Sequence, residues 1–333
     1  MRIGLVGDFS PQLNEGYKNI AHALSHGLGL NHSVFRLHVA KVFNIKTWTS
    51  LKAFKPQVIH ILSQPTIKSL LLLFSLSVLN RRVFKVMSAL RYERLKSNHT
   101  YETIFGFVLC FVRPDLVVVQ SSAAGELFAN QWDCNTRQLP NGVDLQKFQP
   151  VTQEQKLGLR KKYHLDLQLP TILHVGHPTP ERNLVSLGSL IERGFQVIMG
   201  ASKYLKPTDD FIEDLRDRGF IVFDTYLPHV EELYQLADCY IFPVNFGNSI
   251  SMPLSILEAL ACDLPVVTTR FDAIHERFGE MAGIYYIDSE TEVIDQVENA
   301  IKESLSTRPL VEELSWEAVA TTLSGFYQEL ANK

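Results

Sequence analysis

Continuous apolar runs alternate with amphipathic stretches along most of the chain. In the first half, RIGLVGDF reads as a buried strand with a glycine-containing loop behind it, and GYKNIAHALSHGL as a helix. HSVFRLHVA and PQVIHIL follow as strands, IKSLLLLFSLSVL as a helix, and VFKVMSA and PDLVVVQSS as further strands. Uninterrupted apolar strands separated by helices predict a parallel sheet covered on both faces, a doubly wound α/β arrangement. The second half repeats the pattern: strand TILHVGH, helix RNLVSLGSLIERG, strands FQVIMGA and GFIVFDTYL, helix VEELYQLAD and strand CYIFPV. Asn141-Gly142 in LPNGVD is predicted as a turn, and the polar stretch from Gln149 to Lys162 as a connection between domains. Residues 312–331 read as a last amphipathic helix.

SISMPLSILEALACDLPVVTT, from Ser249, sets one carboxylate, Glu258, among apolar and small residues. Leu254, Leu257 and Ala261 share a helical face with Glu258, while Ile256, Ala259 and Leu260 cover the rest, so the helix is predicted to be buried. Ser249 and Ser251 are candidate N-caps, Pro253 suits the first turn, and Asp263 and Pro265 end the helix before a short β-branched strand. A carboxylate in such a place must be paired or hydrogen-bonded, so Glu258 requires a partner.

A chain of 333 residues that is 46% hydrophobic can build two domains of ordinary size. The N-terminal apolar run is too short for a secretory signal and no stretch reaches the length of a membrane span, which places the protein in the cytoplasm. Cys110, Cys134, Cys239 and Cys262 lack metal-ligand spacing and read as reduced core thiols. The net charge of −4 conceals an asymmetry: residues 1–150 hold 17 Lys and Arg against 8 Asp and Glu, residues 151–333 hold 15 against 28. A basic first half suits an anionic partner, or equally attraction between the two halves.

Two consecutive doubly wound domains bind ligands where strand C-termini meet. A dinucleotide-binding dehydrogenase is excluded, because neither GDFSPQLNEG nor GHPTPERN is a G-x-G-x-x-G turn. In order along the chain, LPNGVDLQKFQP, HVGHPTPERNLVSLGSLI, YLPHVEELYQLADCYIFP and ILEALACDLPVVTTRFDAIHE resemble the motifs of family 4 of the retaining glycosyltransferases. The resemblance is strong from Pro140 to Glu276 and weak before it. It implies a GT-B fold, two Rossmann-like domains facing across a cleft: an acceptor domain at 1–148, a nucleotide-sugar domain at 149–311, and a helix at 312–333 crossing back to the first domain.

The resemblance also implies roles for residues. Glu258 occupies the place of the second glutamate of the family's E-x7-E motif, which accepts hydrogen bonds from the ribose of the nucleotide sugar. His177 and Arg182 occupy the places of the basic pair on the donor diphosphate, where Arg182 keeps a permanent charge and His177 a pH-dependent one. These three are the candidate catalytic residues. The candidate donor-binding set is Gly16, Leu227, Ser249, Ile250, Ser251, Met252 and Glu258, with the N–H groups near Ser251 and Met252 facing the diphosphate at a helix start. Two departures stand out: Ile250 replaces the first glutamate, eight positions before Glu258, and the family's sugar-contacting histidine falls near Ser88 or Ala89.

The expected reaction is transfer of a sugar, with retention, from a UDP- or GDP-linked donor to a glycan or lipid-linked acceptor, with no metal and no cofactor. A non-catalytic GT-B nucleotide-binding or partner subunit is the alternative, favoured by Ile250 and the missing histidine. A GT-B sugar epimerase lacks its pair of carboxylates. Arg81, Arg82 and Lys85 after an apolar helix, with Arg91, Arg94 and Lys96 beyond, fit peripheral contact with an anionic membrane at the inner face of the cell membrane. Nucleic acid is not expected, since stacking aromatics beyond Tyr92 are absent from the cation cluster.

Overall fold

The computed structural model describes residues 1–332 apart from 14, 43, 80–82, 93–94, 96–98, 202–208, 245–250 and 271, and apart from the side chains of 79, 209 and 272. The chain divides into two compact units. The first comprises Met1–Gly142, Ile250–Met252 and Trp316–Lys333, the second Val143–Ser249 and Pro253–Ser315.

In the first unit the strands are β1 (Arg2–Gly7), β2 (Ser33–His38), β3 (Val58–Ile61), β4 (Phe84–Ala89), β5 (Leu116–Val119) and β6 (Thr136–Gln138). They form one parallel sheet in the order β2-β1-β3-β4-β5-β6. The helices are α1 (Gly16–Gly29), α2 (Ile45–Phe54), α3 (Ile67–Leu79), α4 (His99–Val112) and α5 (Ser122–Glu126). Leu70, Leu73 and Leu76 of α3 and Phe105, Leu109 and Val112 of α4 enter one core with the sheet residues Ile59, Met87 and Val117.

The helix Trp316–Ala331 groups with this unit and lies on α1, where a Cβ on Gly27 would come within 2.6 Å of the Ala320 Cβ. Its Ser324 hydroxyl meets His32 Nε2 at 2.7 Å, and its Tyr327 hydroxyl meets Nδ1 of the buried His60 at 2.6 Å. The other nitrogen of His60 is 2.8 Å from the Ser88 hydroxyl. Ser88, which with Ala89 marks where the resemblance would put a histidine, is buried against this histidine of β3.

Burial lowers the His60 pKa to about 3, so the folded state holds the ring neutral while the unfolded chain protonates it near its ordinary value. The stability this confers is complete above the unfolded pKa of about 6.5 and is lost as pH falls towards the folded one, at up to about 1.4 kcal/mol per pH unit. His60→Gln is expected to unfold at lower denaturant at pH 7 and to show a flatter stability profile between pH 6 and about 4. Urea titrations across that range measure both.

Asn141-Gly142 is not a turn: the segment is irregular and leads directly to Val143, whose N–H donates to Leu314 O at 2.8 Å. The glycine answers a different demand, because a Cβ there would stand 2.7 Å from the Trp316 ring. Gly142→Ala is expected to cost about 1–3 kcal/mol, read by denaturant unfolding, as overpacking against backbone-anchored neighbours does.

The second unit's strands are β7 (Thr171–Gly176), β8 (Gln196–Ala201), β9 (Ile221–Phe223), β10 (Cys239–Phe242), β11 (Val266–Thr268) and β12 (Ile284–Tyr286). They too are parallel, in the order β12-β11-β10-β7-β8-β9. Its helices are α6 (Gln153–Lys162), α7 (Gly188–Glu192), α8 (Asp209–Asp217), α9 (Glu231–Leu236), α10 (Leu254–Ala261), α11 (Asp272–Phe278) and α12 (Val293–Glu303). The core residues Ile172, Val197, Ile241 and Val267 are fully buried.

The polar stretch from Gln149 to Lys162 is therefore not a plain connection. Thr152 and Gln155 form a capping box that starts α6, and the buried Arg160 donates to Leu236 O at 2.9 Å and to Asp238 at 2.5 Å. Lys156 adds a second cation 2.7 Å from Asp238. A hydrophilic segment can pack as a helix when its inward cations find a carboxylate.

Both sheets have the strand arrangement of a two-domain α/β GT-B fold. No helix among the described residues is long and apolar enough to cross a membrane.

Candidate functional site

In the second unit β8 and β9 lie to one side of β7, and β10, β11 and β12 to the other. The chain thus leaves the C-terminal ends of the neighbours β7 and β10 in opposite directions, which is where open α/β sheets bind ligands.

The loop after β7 carries the two candidate cations. It closes on itself, with Thr179 N–H donating to His177 O and Arg182 N–H to Thr179 O, each at 3.0 Å. Asn183 leaves it in the left-handed conformation, φ 54°. The Arg182 guanidinium carbon stands 5.4 Å from the ring centroid of Phe242, the last residue of β10, so the cation is placed over the switch point by an aromatic face. Beneath the loop, His174 of β7 stacks on Phe242 at 5.5 Å. Its Nδ1–H donates to Ile241 O at 2.9 Å, and its buried Nε2 has no hydrogen-bond partner among the described residues. Burial lowers its pKa to about 3, and the charges of Arg182 and His177 depress it further. A neutral ring there leaves the positive charge of the site to the loop above.

Glu258 projects from α10, the helix that follows β10. Its Oε2 accepts a hydrogen bond of 2.6 Å from the buried Tyr234 hydroxyl of α9. Burial raises the Glu258 carboxyl above the usual carboxylate range, opposed by that hydrogen bond and by the nearby Lys147 charge. The partner the sequence demanded is thus a phenol, not backbone or a bonded cation. Among the described residues, the other carboxylate oxygen accepts no hydrogen bond. Tyr234 stacks on Tyr240 at 5.8 Å, and Tyr240 lies parallel to Phe242 at 6.4 Å. The Tyr240 phenol is pushed up by burial; the Glu258 charge raises it further and that of Arg182 lowers it, so both charges act on one ring. Glu258, Tyr234, Tyr240, Phe242 and Arg182 therefore form one packed series across the strand ends.

The helix start differs from expectation. Pro253 is itself the N-cap, with extended backbone and no side-chain cap bond, and Ser251 lies before it. Neither Ser251 nor Met252 offers its amide to a ligand. Ser251 N–H donates to Leu90 O at 3.3 Å, and Met252 N–H to Gln120 Oε1 at 3.2 Å. Asn141 Nδ2 donates to Met252 O at 2.7 Å, so the asparagine of the PNGVD motif holds this segment within the first unit. The unbonded amides belong instead to the first turn of α10 itself, from Leu254.

Of the other candidates, Gly16 is the first residue of α1, after Glu15, whose carboxylate accepts from Lys18 N–H. Leu227 is half-buried in the loop between β9 and α9. Ser249 and Ile250 lie outside the described residues, as do Arg81, Arg82, Arg94 and Lys96. The sequence reading missed the aromatic series. Its signal was present: Tyr240 and Phe242 stand two apart in CYIF, hence on one face of a strand, directly before the motif that carries Glu258. Cys110 is also a correction, being exposed on α4, while the other three cysteines are buried.

Comparison with known proteins places this architecture. Residues 189–303 match the family described as Glycosyl transferases group 1. TuaC of Bacillus subtilis (strain 168), named as a teichuronic acid biosynthesis glycosyltransferase, is 30% identical over 149 residues, which span 43% of this chain and 35% of TuaC. The chain thus matches about a third of the length of that curated relative. Sucrose-phosphate synthase from Thermosynechococcus elongatus superposes with a TM-score of 0.78 at 15% identity, over 99% of both chains. HepE of Anabaena, solved in complex with UDP and glucose, superposes with a TM-score of 0.71 at 13% identity, over 99% of this chain and 98% of HepE. Residues 189–303 thus resemble the Glycosyl transferases group 1 family in sequence, and the chain as a whole has the two-domain GT-B fold.

Proposed function

We propose that this protein transfers a sugar from a UDP- or GDP-linked donor to a glycan or lipid-linked acceptor, with retention of configuration. The observation that carries the reading is the packed series that joins Arg182 and Glu258 across the ends of β7 and β10. In the proposal the free oxygen of Glu258 accepts from the ribose hydroxyls, while the one bonded by Tyr234 fixes the carboxylate's direction. Arg182, His177 and the first-turn amides of α10 stabilise the charge that develops on the departing diphosphate. That phosphate in turn accepts the acceptor's proton on the same face of the sugar. The protein's task is then positioning and charge stabilisation, and neither a protein base nor a divalent ion is required. The complex of HepE with UDP and glucose supports a uridine donor, and the name of TuaC supports a glycan acceptor. The basic first half supports a reaction at the anionic inner face of the cell membrane.

Incubation of the full chain with UDP- and GDP-sugars, with released diphosphate assayed and the anomer followed by NMR, tests the reading. Slow donor hydrolysis or transfer with one of them is expected. The second reading, a nucleotide-binding partner subunit, rests on Ile250 at the place of the first motif glutamate and on the missing histidine near Ser88 or Ala89. Nucleotide binding without turnover would select it.

A further inference from the structure

We propose that the outer faces of α3 and α4 form a surface that inserts into the headgroup region of an anionic lipid bilayer. The inference rests on the membrane placement just proposed and names the surface that would provide it. Both helices turn their inner faces into one core, through Leu70, Leu73 and Leu76 and through Phe105, Leu109 and Val112, so their outer faces point away from the sheet in the same direction. Those outer faces are apolar with the same spacing of i, i+3, i+7. Leu71, Phe74 and Val78 are 50%, 45% and 58% exposed, and Ile104, Phe107 and Phe111 are 47%, 65% and 70% exposed. Phe107 and Phe111 touch each other, ring centroids 5.1 Å apart. The other large apolar side chains exposed among the described residues, such as Leu30, Ile45 and Tyr226, stand on other elements. A contiguous apolar face of this kind marks an interaction surface.

Three observations select lipid as the occupant. No charged residue occurs in the sequence between Lys68 and Arg81, or between Glu102 and Arg113. The hydroxyls of Ser75, Ser77 and Thr103 are satisfied internally, Ser75 donating to Leu71 O, Ser77 to Phe74 O and Thr103 to His99 O, so each gives its proton to its own helix. The segment that carries both helices, residues 67–113, holds eight Lys and Arg against two Glu, which complements anionic headgroups. A second copy of the chain on this face would set two such net-positive segments against each other. Neither helix is long enough to span, so the geometry is that of a protein lying on the membrane with aromatic side chains in the interface.

Cys110, on α4 between the two phenylalanines and the single exposed cysteine among the four, provides the probe. The full chain, labelled there with an environment-sensitive fluorophore, is mixed with vesicles of phosphatidylcholine alone or with 30% phosphatidylglycerol, without nucleotide or sugar. A blue shift and co-sedimentation with the anionic vesicles alone, weakened by salt, are expected. The unlabelled Phe107→Ser/Phe111→Ser double variant should lose at least about tenfold in vesicle affinity. Leu30→Ser, at an exposed site on another element, should keep it. Both variants should retain the wild-type circular dichroism spectrum and thermal response to nucleotide, which separates loss of the surface from loss of the fold or of the donor site. Equal binding by the double variant would overturn the proposal. So would absence of wild-type binding to the anionic vesicles, or a concentration-dependent dimer that the double variant abolishes. Because the measurement uses no donor, its failure leaves the transfer reading standing, and a chain without transfer can still bind vesicles.

Discussion

Arg182→Ala is expected to lower the rate of sugar transfer by about 10²–10³, the range found when one preorganised donor to a developing negative charge is removed. The loss should fall mainly on kcat, since the charge that Arg182 faces grows as the glycosidic bond breaks. Arg182→Lys should recover only part of it. The ammonium keeps the charge but gives up the planar stacking on Phe242 and the multiple donors of the guanidinium. Steady-state kinetics on the three proteins, with calorimetry to show that the diphosphate still binds to the alanine variant, distinguish this from a collapsed loop. Equal effects on binding and turnover would place Arg182 in ground-state binding instead.

Glu258→Ala is expected to weaken nucleotide binding by about 10–100-fold, the worth of hydrogen bonds to a charged acceptor. The substitution removes a carboxylate that is half-buried and directed by Tyr234, so part of the effect should reappear in Tyr234→Phe. There the sign is set by the proton. The Glu258 carboxyl is already raised by burial and lowered partway back by the Tyr234 hydrogen bond. Without that bond it rises further, and the ionised form that would accept from the proposed ribose is lost at higher pH. Affinity for the nucleotide measured from pH 5 to pH 8 should therefore fall off earlier on the acid side in Tyr234→Phe than in the wild type. A parallel loss at every pH would mean that the phenol acts through packing alone.

Periodicity made most of both sheets legible, because strands buried on both faces are written as continuous apolar runs such as ILHV and LVVV. The same property hid α4. HTYETIFGFVLCFV is nearly as apolar as a strand run, since its outward residues Ile104, Phe107 and Phe111 are apolar where a solvated helix would be polar. The stretch at Gln149–Lys162 failed in the opposite direction: its composition signals a linker, and contacts distant in sequence, such as Arg160 with Asp238 78 positions on, reveal it as packed. The ordered motifs nominate His177, Arg182 and Glu258 as the candidate site. What the motifs could not show was how a buried carboxylate stays directed. Tyr240 and Phe242 share one face of β10, but Tyr234 reaches Glu258 only through the packing of α9 on α10, a contact 24 positions apart in sequence. Ser251 was misjudged as a cap because a serine before a helix satisfies the local rule, whereas Pro253 fixes the extended backbone from which the helix actually starts.

The central claim is that the second unit holds a nucleoside diphosphate between Arg182 and Glu258. Isothermal calorimetry of the full chain with UDP, GDP and ADP, repeated on Glu258→Ala, tests it most directly. Binding of UDP or GDP, without added divalent metal, is expected and should weaken by at least about tenfold in the variant. Absence of heat with all three nucleotides, or identical affinity in Glu258→Ala, would contradict it.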